Sequence, residues 1–154
     1  MAVSGEPVWL ELNSTVLAKA KHFYGELLGW QFEDHGADYG GYHLITVDEA
    51  VVGGAMEVND DMRKLGATER FCVYLASDDI VATVDKAKRH AAEVAMAPTT
   101  VAEHGQMAYL IDPMGSDVGL WQSNDVQTLA RDRTGGVCWW ELMAHHYDDA
   151  VRFY

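Results

Sequence analysis

The residue with the clearest chemical potential in this sequence is Glu11, which follows Trp9 by two positions in the run Trp9-Leu10-Glu11-Leu12. Bulky and apolar residues from Pro7 to Asn13 read as a β-strand, and strand alternation puts Trp9 and Glu11 on the same, inward face. A carboxyl group facing a pocket lined by Trp9, Phe71 or Cys72, Tyr74 and Trp121 would lose hydration, and desolvation disfavours its charged form. Such a group acts as an acid or base, or anchors a ligand's amine or hydroxyl. Glu11 is accordingly the one catalytic candidate, and Trp9, Glu11, Cys72, Tyr74 and Trp121 are the ligand-binding candidates. The competing reading is a structural glutamate, bonded to nearby backbone or to a tyrosine hydroxyl, with the aromatic residues serving as core. Tyr74 and Tyr109 could donate to a ligand or reach water at a sheet edge.

Other residues offer less. His43, Glu57 and His104 fall on or near expected strands, and an improvised metal site would need them to converge with Glu11. His22 and His90 sit on amphipathic helices among charged neighbours, where solvent exposure is expected. His145 and His146 are adjacent, so their side chains diverge. Gly40-Gly41 and Gly53-Gly54 lack the spacing and the following Lys-Ser/Thr of a phosphate-cradling loop. No serine stands in a nucleophile elbow. Cys72 has no basic neighbour in sequence to activate its thiol.

The elements that must position these residues follow from periodicity. Ser14 or Thr15 caps a helix whose apolar face is Val16, Ala20, Phe23 and Leu27, ended by Gly29. Strands are expected over Trp30 to His35, Tyr39 to Val47 and Val51 to Val58. Asn59 to Thr68 is a polar connector, and then the order repeats. Arg70 to Ala76 is a strand, Ser77 or Asp78 caps a helix with face Ile80, Val84, Ala87 and Ala91, and three strands follow over Glu93 to Ala97, Gln106 to Ile111 and Asp117 to Gln122. Asp112-Pro113-Met114-Gly115 is a tight turn. The fold class is therefore α+β: two βαβββ halves, at about 7–58 and 69–122, forming a cupped mixed sheet with helices outside.

A longer repeat is superimposed on this one. Trp9, Glu11, Leu12, Ala20, Phe23 and Tyr24 recur, offset by 130 residues, as Trp139, Glu141, Leu142, Ala150, Phe153 and Tyr154. Internal repetition of this kind signals a second copy of a unit. The expected organisation is a module over 1–122, a polar linker over 123–135, and the first strand and partial helix of a second module over 136–154, as in a fragment of a longer tandem protein. Glu141 would then hold the place of Glu11.

Composition narrows the partners. With 24 acidic and 11 basic residues the formal charge is −13, which repels phosphate backbones and anionic membrane surfaces. Nucleic acid and membrane are thus excluded as expected partners, and a neutral or cationic small molecule is not. Hydrophobic residues make up 49% of the chain, enough for a folded core. The two cysteines, Cys72 and Cys138, have no metal-finger spacing and are too few for a disulfide scaffold. No stretch approaches the about 20 apolar residues of a membrane span, and the N-terminus has no signal-peptide pattern, so the cytoplasm is expected.

Two motifs carry a family resemblance. Phe23-Tyr24-Gly25-Glu26-Leu27-Leu28-Gly29-Trp30 and Ala108-Tyr109-Leu110-Ile111-Asp112-Pro113-Met114-Gly115, with the ending Val118-Gly119-Leu120-Trp121-Gln122, resemble the vicinal oxygen chelate superfamily of glyoxalases, bleomycin-resistance proteins and dioxygenases. The resemblance runs over about residues 7 to 122, restarts at about 137, and points to the tandem two-module members. It implies the fold more firmly than an activity, because this fold hosts lyases, dioxygenases, epimerases and drug-sequestering proteins. Its enzymes hold Fe, Mn, Zn or Ni with His, Gln and Glu side chains. Here the first-strand ligand position falls on Trp9, the position opening the second half on about Cys72, and the last-strand glutamate on Gly119, with Glu57 near the remaining acidic position.

No metal ligand and no cofactor are therefore expected, with a divalent ion (Fe, Mn, Zn or Ni) in a rebuilt ligand set as the alternative. The leading expectation is a metal-independent small-molecule binding protein of the glyoxalase/bleomycin-resistance type, with a resistance or sequestration role. The second is an enzyme of the same fold, a lyase, dioxygenase or isomerase, with an atypical metal site or with Glu11 as acid/base. The third is a module with a vestigial cleft that pairs with another half. A homodimer, or pairing with a second module, would complete the binding surface.

Overall fold

The structure, a computed structural model, describes residues 3–64, 67–124 and 129–154. Residues 65–66 of the expected connector and 125–128 of the expected linker lie outside the described residues. The chain divides into two compact units. The described residues of one are 9–64, 67–72 and 129–139, and those of the other are 3–8, 73–124 and 140–154.

The first unit takes most of strand β1 (Pro7–Ser14), helix α1 (Leu17–Leu28), and strands β2 (Gln31–Asp34), β3 (His43–Val47) and β4 (Ala50–Glu57), followed by the short helix α2 (Asp60–Lys64). Its strands run in the order β2-β3-β4-β1, with β1 parallel to β4 and the other pairs antiparallel. The parallel pair is what a βαβ connection through α1 requires. Leu12, Ile45, Val47, Val52 and Ala55 of the sheet pack with Leu17 of α1 and with Trp30 to form the core.

The packed face of α1 departs from the expectation. Leu17, Ala20, Tyr24 and Leu28 meet the core, whereas Val16, Phe23 and Leu27 are exposed. Both stripes have helical spacing, and the choice between them is made by Trp30. Its ring stacks on Tyr24 with centroids 5.0 Å apart, and its indole N–H donates to the Gly135 carbonyl at 2.7 Å. The helix starts after Val16 without a side-chain cap, although the Ser14 hydroxyl accepts from the Val16 N–H at 3.2 Å. Gly29 closes it in the left-handed conformation, as expected.

The second unit holds most of β5 (Arg70–Ala76), helix α3 (Ile80–Arg89), and strands β6 (Glu93–Val101), β7 (Gly105–Ile111) and β8 (Asp117–Ser123), in the order β5-β8-β7-β6. Again the first and last strands are parallel and the rest antiparallel. Ile80 and Val84 of α3 pack on Ala108, Leu110, Val118 and Leu120. The cap of α3 is Asp79, not Ser77 or Asp78, its carboxylate accepting from the Ala82 N–H at 3.0 Å. Ala91 lies beyond the helix at a positive φ of 66° and is exposed, so it is not part of the packed face. In the expected turn, the Asp112 carboxylate accepts from the backbone N–H groups of Met114 and Ser116.

The two βαβββ halves expected from the sequence are thus present, and the fold class is α+β. The 130-residue repeat also has a structural counterpart. Helix α4 (Tyr147–Phe153) begins at the position that corresponds, at that offset, to the first residue of α1. The expected strand around Trp139–Leu142 is not formed. A strand exists through hydrogen bonds to a neighbouring strand, and among the described residues this segment has none beside it; Trp139 is 76% exposed.

Candidate functional site: the face of the first strand turned away from α1

Leu10 and Leu12 of β1 point to α1 and the core. Alternation therefore turns Trp9, Glu11 and Asn13 to the opposite face of the same strand. Glu11 and Asn13 are both buried there, at 7% and 5% exposure. A buried carboxylate needs partners, and the Asn13 side-chain N–H donates to Glu11 Oε1 at 3.3 Å. Trp9 donates its indole N–H to the Tyr42 hydroxyl at 2.8 Å.

Tyr42 was not among the sequence candidates, and it is brought to this face by a glycine. In the parallel ladder Glu11 lies beside Gly54. A Cβ added to Gly54 would overlap the hydroxyl end of the Tyr42 ring, so the absence of a side chain there is what lets Tyr42 lie over β4. The result is a patch of four side chains, Trp9, Glu11, Asn13 and Tyr42, facing away from α1. Burial, and then the negative charge of Glu11, push the Tyr42 phenol far above its ordinary range, against a smaller opposing effect of the Trp9 hydrogen bond. Tyr42 therefore stays protonated and can donate a hydrogen bond.

The remaining candidates separate. The aromatic ring of Phe71 meets Tyr24 and Trp30, on the α1 side. Cys72, next to it in the strand, is therefore turned to the face away from α1, where it is fully buried. Neither cysteine forms a disulfide. His43 is buried on the α1 side, bonded through Nε2 to the Lys21 ammonium and through Nδ1 to the Gly41 carbonyl at 2.9 Å. Nδ1 carries the proton in that arrangement, since Lys21 can only donate. Glu57 is in register with Ser14, on the other face from Glu11, and is exposed. The proposed convergence of Glu11 with His43 or Glu57 does not occur. His22, His90, His104, His145 and His146 are exposed, as is Glu141.

Tyr74 and Trp121 belong to the second unit and share a face there. The register sets Tyr74 beside Gly119 and Ala76 beside Trp121, on the face opposite α3. Tyr74 and Tyr109 meet edge to face with centroids 6.3 Å apart. A Cβ at Gly119 would overlap the Tyr74 ring. The two units thus use one device. A glycine in the last strand lies beside the fifth residue of the first, Gly54 beside Glu11 and Gly119 beside Tyr74, and an aromatic ring fills the space. Trp121 Nε1 is buried with no acceptor among the described residues.

The family model for the Glyoxalase/Bleomycin resistance protein/Dioxygenase superfamily matches residues 7–120. The chain belongs to that superfamily. Among curated relatives, it is 32% identical over 153 residues to the "Putative glyoxylase CFP32" of Mycobacterium bovis, covering 97% of this chain and 58% of that protein. It is 29% identical over 164 residues to the anthracycline biosynthesis protein DnrV of Streptomyces peucetius, covering 97% of this chain and 59% of that one. The chain therefore spans little more than half the length of these relatives. Among solved structures, the Mn(II)-bound glyoxalase of Novosphingobium aromaticivorans matches 85% of this chain and 44% of its own, with a TM-score of 0.55 at 16% identity. That likeness speaks to the fold.

Superfamily enzymes commonly use a divalent metal, and the side chains gathered on the β1 face do not fit one. Among the described residues no three His, Cys, Asp or Glu side chains come together. The patch on β1 offers one carboxylate, one amide and one phenol, without the imidazoles that suit Fe, Mn, Zn or Ni. Among the described residues, no helix is long and apolar enough to cross a membrane.

Proposed function

We propose that this superfamily member binds a planar, oxygenated organic molecule on the face formed by Trp9, Glu11, Asn13 and Tyr42, without a divalent metal. The observation that carries this reading is the part-buried Trp9–Tyr42 pair together with the buried Asn13–Glu11 pair, beside Gly54. It gathers an aromatic wall and a few fixed polar groups, the usual make-up of a small-molecule site. The relative named for anthracycline biosynthesis supports a planar aromatic ligand. A sequestration or resistance role in the cytoplasm agrees with a site that has few reactive groups.

The burial of Glu11 favours a second reading, in which the same patch moves a proton: Glu11 as acid or base, with Tyr42 as hydrogen-bond donor to the oxygen that gains charge. We further read residues 136–154 as the opening of a second module, because α4 starts in register with α1 at the 130-residue offset. That second module, or a second copy of the chain, would be the partner of this one. Quenching of intrinsic tryptophan fluorescence by anthraquinones tests the binding reading. Saturable quenching that falls at least about tenfold in affinity in Trp9→Ala supports it. Absence of quenching, or quenching untouched by that substitution, contradicts it.

A further inference from the structure

The peptide group that carries Tyr42 into place is held from the opposite side of the sheet. We propose that His43 is a positioning residue for Tyr42, and that Lys21 of α1 sets the histidine tautomer on which this positioning depends. The inference rests on the reading of Tyr42 as part of the binding face, and it adds two residues that act there from the α1 side.

The need for such a hold comes from the sequence. Gly40 and Gly41 precede Tyr42, both at positive φ, 66° and 74°. Glycine lets the Gly41–Tyr42 peptide plane turn at little steric cost. The plane is rigid, so its orientation fixes the φ of Tyr42 and hence the direction in which the ring leaves the backbone. β3 begins at His43, so Tyr42 stands just outside the strand. The plane is held at both ends. The Tyr42 N–H donates to the Tyr39 carbonyl at 3.2 Å, and the Gly41 carbonyl accepts from His43 Nδ1 at 2.9 Å. The next peptide is steadied as well, since the Tyr42 carbonyl accepts from the His35 N–H at 3.0 Å. Among these partners His43 is the one that acts through its side chain.

That hold needs one tautomer. A neutral imidazole carries its proton on one nitrogen, and the bond made by the other nitrogen decides which. Lys21 lies at hydrogen-bond distance from Nε2 and can only donate, so it keeps Nε2 as the acceptor and Nδ1–H directed to Gly41. The Asp34 carboxylate, 3.9 Å from Nε2, pulls the other way, because it would accept from a protonated Nε2. Lys21 is nearer, and the Asp34 side chain is 64% exposed, where solvent screens its charge. His43 itself is buried. Removing the Lys21 ammonium should therefore move one proton from Nδ1 to Nε2. Gly41 then loses its donor, the Tyr42 peptide plane is released, and the Trp9 indole N–H loses a fixed acceptor on the far face.

The test uses the full chain with isotope-labelled histidine and tryptophan in mildly alkaline buffer. Long-range nitrogen–proton correlations read which His43 nitrogen carries the proton, and His43→Asn gives the assignment. The proton is expected on Nδ1 in wild type and on Nε2 in Lys21→Met. The Trp9 indole resonance should move in His43→Leu and in Lys21→Met, and hold in His43→Asn, whose amide N–H takes the place of Nδ1–H. The Trp30 indole, bonded to Gly135 on the same side of the sheet as His43, should keep its resonance in all three variants. Anthraquinone affinity, read by tryptophan quenching, should fall about threefold or more in His43→Leu and Lys21→Met and stay within about twofold in His43→Asn. A wild-type proton on Nε2 overturns the inference, as does a Trp9 resonance that holds in Lys21→Met. Movement of Trp9 and Trp30 together also overturns it, because that marks a general loosening of the core. Should circular dichroism show His43→Leu unfolded, the wild-type tautomer and Lys21→Met still decide. Failure of anthraquinone to bind wild type counts against the binding face, while the histidine and tryptophan resonances decide the positioning independently.

Discussion

The hydroxyl of Tyr42 lies in the space that a side chain on Gly54 would occupy. Because Gly54 is the parallel-strand partner of Glu11, this places a phenol next to a buried carboxylate on the face of the sheet that the core does not use. Adding one carbon at Gly54 should therefore do more than its size suggests. Gly54→Ala is expected to displace Tyr42, to cost about 1–3 kcal/mol of stability through overpacking, and to abolish ligand quenching. Urea unfolding of the single variant, of Tyr42→Ala and of the double variant checks it. The double variant should be more stable than the sum of the two losses implies, since removing the ring removes the clash.

Alkaline stability provides a second check. The folded Tyr42 phenol is pushed well above the ordinary value. The unfolded chain ionises it near that ordinary value of about 10, while the folded chain keeps it neutral. Unfolding then releases a proton, so the contribution of Tyr42 is fully present below about pH 10 and falls as pH rises beyond it, by up to about 1.4 kcal/mol per pH unit. The stability difference between wild type and Tyr42→Phe should be flat to about pH 10 and then shift against wild type. Denaturant unfolding at a series of pH values measures it, and a flat difference throughout would show that the phenol is not shielded.

Two tryptophans should respond differently to loss of their N–H. Trp30 donates to Gly135 at 2.7 Å and stacks on Tyr24, whereas Trp121 Nε1 is buried without an acceptor among the described residues. Trp30→Phe strands a carbonyl and is expected to cost about 1–3 kcal/mol beyond the lost ring area. Trp121→Phe removes an unsatisfied donor and should cost less. Chemical denaturation of the two variants under one condition decides between them.

The repeated tryptophans make a parallel comparison. Trp9 is bonded to Tyr42 within a paired strand, while Trp139 is 76% exposed in a segment without strand pairing. Trp9→Ala should lower stability by about 2–4 kcal/mol and Trp139→Ala should leave it within about 0.5 kcal/mol. A large loss in Trp139→Ala would mean that the second copy of the motif is already built into this part of the fold.

Much of the architecture was legible because strand and helix periodicities are local. Arg70–Ala76 forms the strand its alternation indicates, and Asp112 to Gly115 forms the turn that Asp-Pro and Gly dictate. The facing of Glu11 and Trp9 was legible for the same reason, since alternation is a property of one strand. What escaped was set by contacts distant in sequence. The α1 stripe of Val16, Phe23 and Leu27 has as good a helical period as that of Leu17, Tyr24 and Leu28, and only Trp30 and the segment around Gly135 separate them. Tyr42 was read as one of several residues in a strand from Tyr39 to Val47, although the strand begins at His43. The signal that could have found it was Gly53-Gly54, an apolar strand interrupted by residues without side chains, which marks a close approach by another group. Asn13 could have been added to Glu11 by the same alternation that linked Glu11 to Trp9. His43 looked like a candidate partner because sequence does not reveal that one residue separates the Tyr42 face from the Lys21 face.

The central claim is that the β1 face works without a divalent metal, and the measurement that tests it most directly is the elemental metal content of protein purified without chelator or affinity nickel, before and after incubation with Fe, Mn, Zn and Ni salts. The account predicts less than about a tenth of an equivalent of any of them retained after dialysis, because one carboxylate with an amide and a phenol does not make a closed ligand set. Retention of about one equivalent of one metal, lost in Glu11→Gln, would contradict it and would make Glu11 a ligand of a rebuilt metal centre.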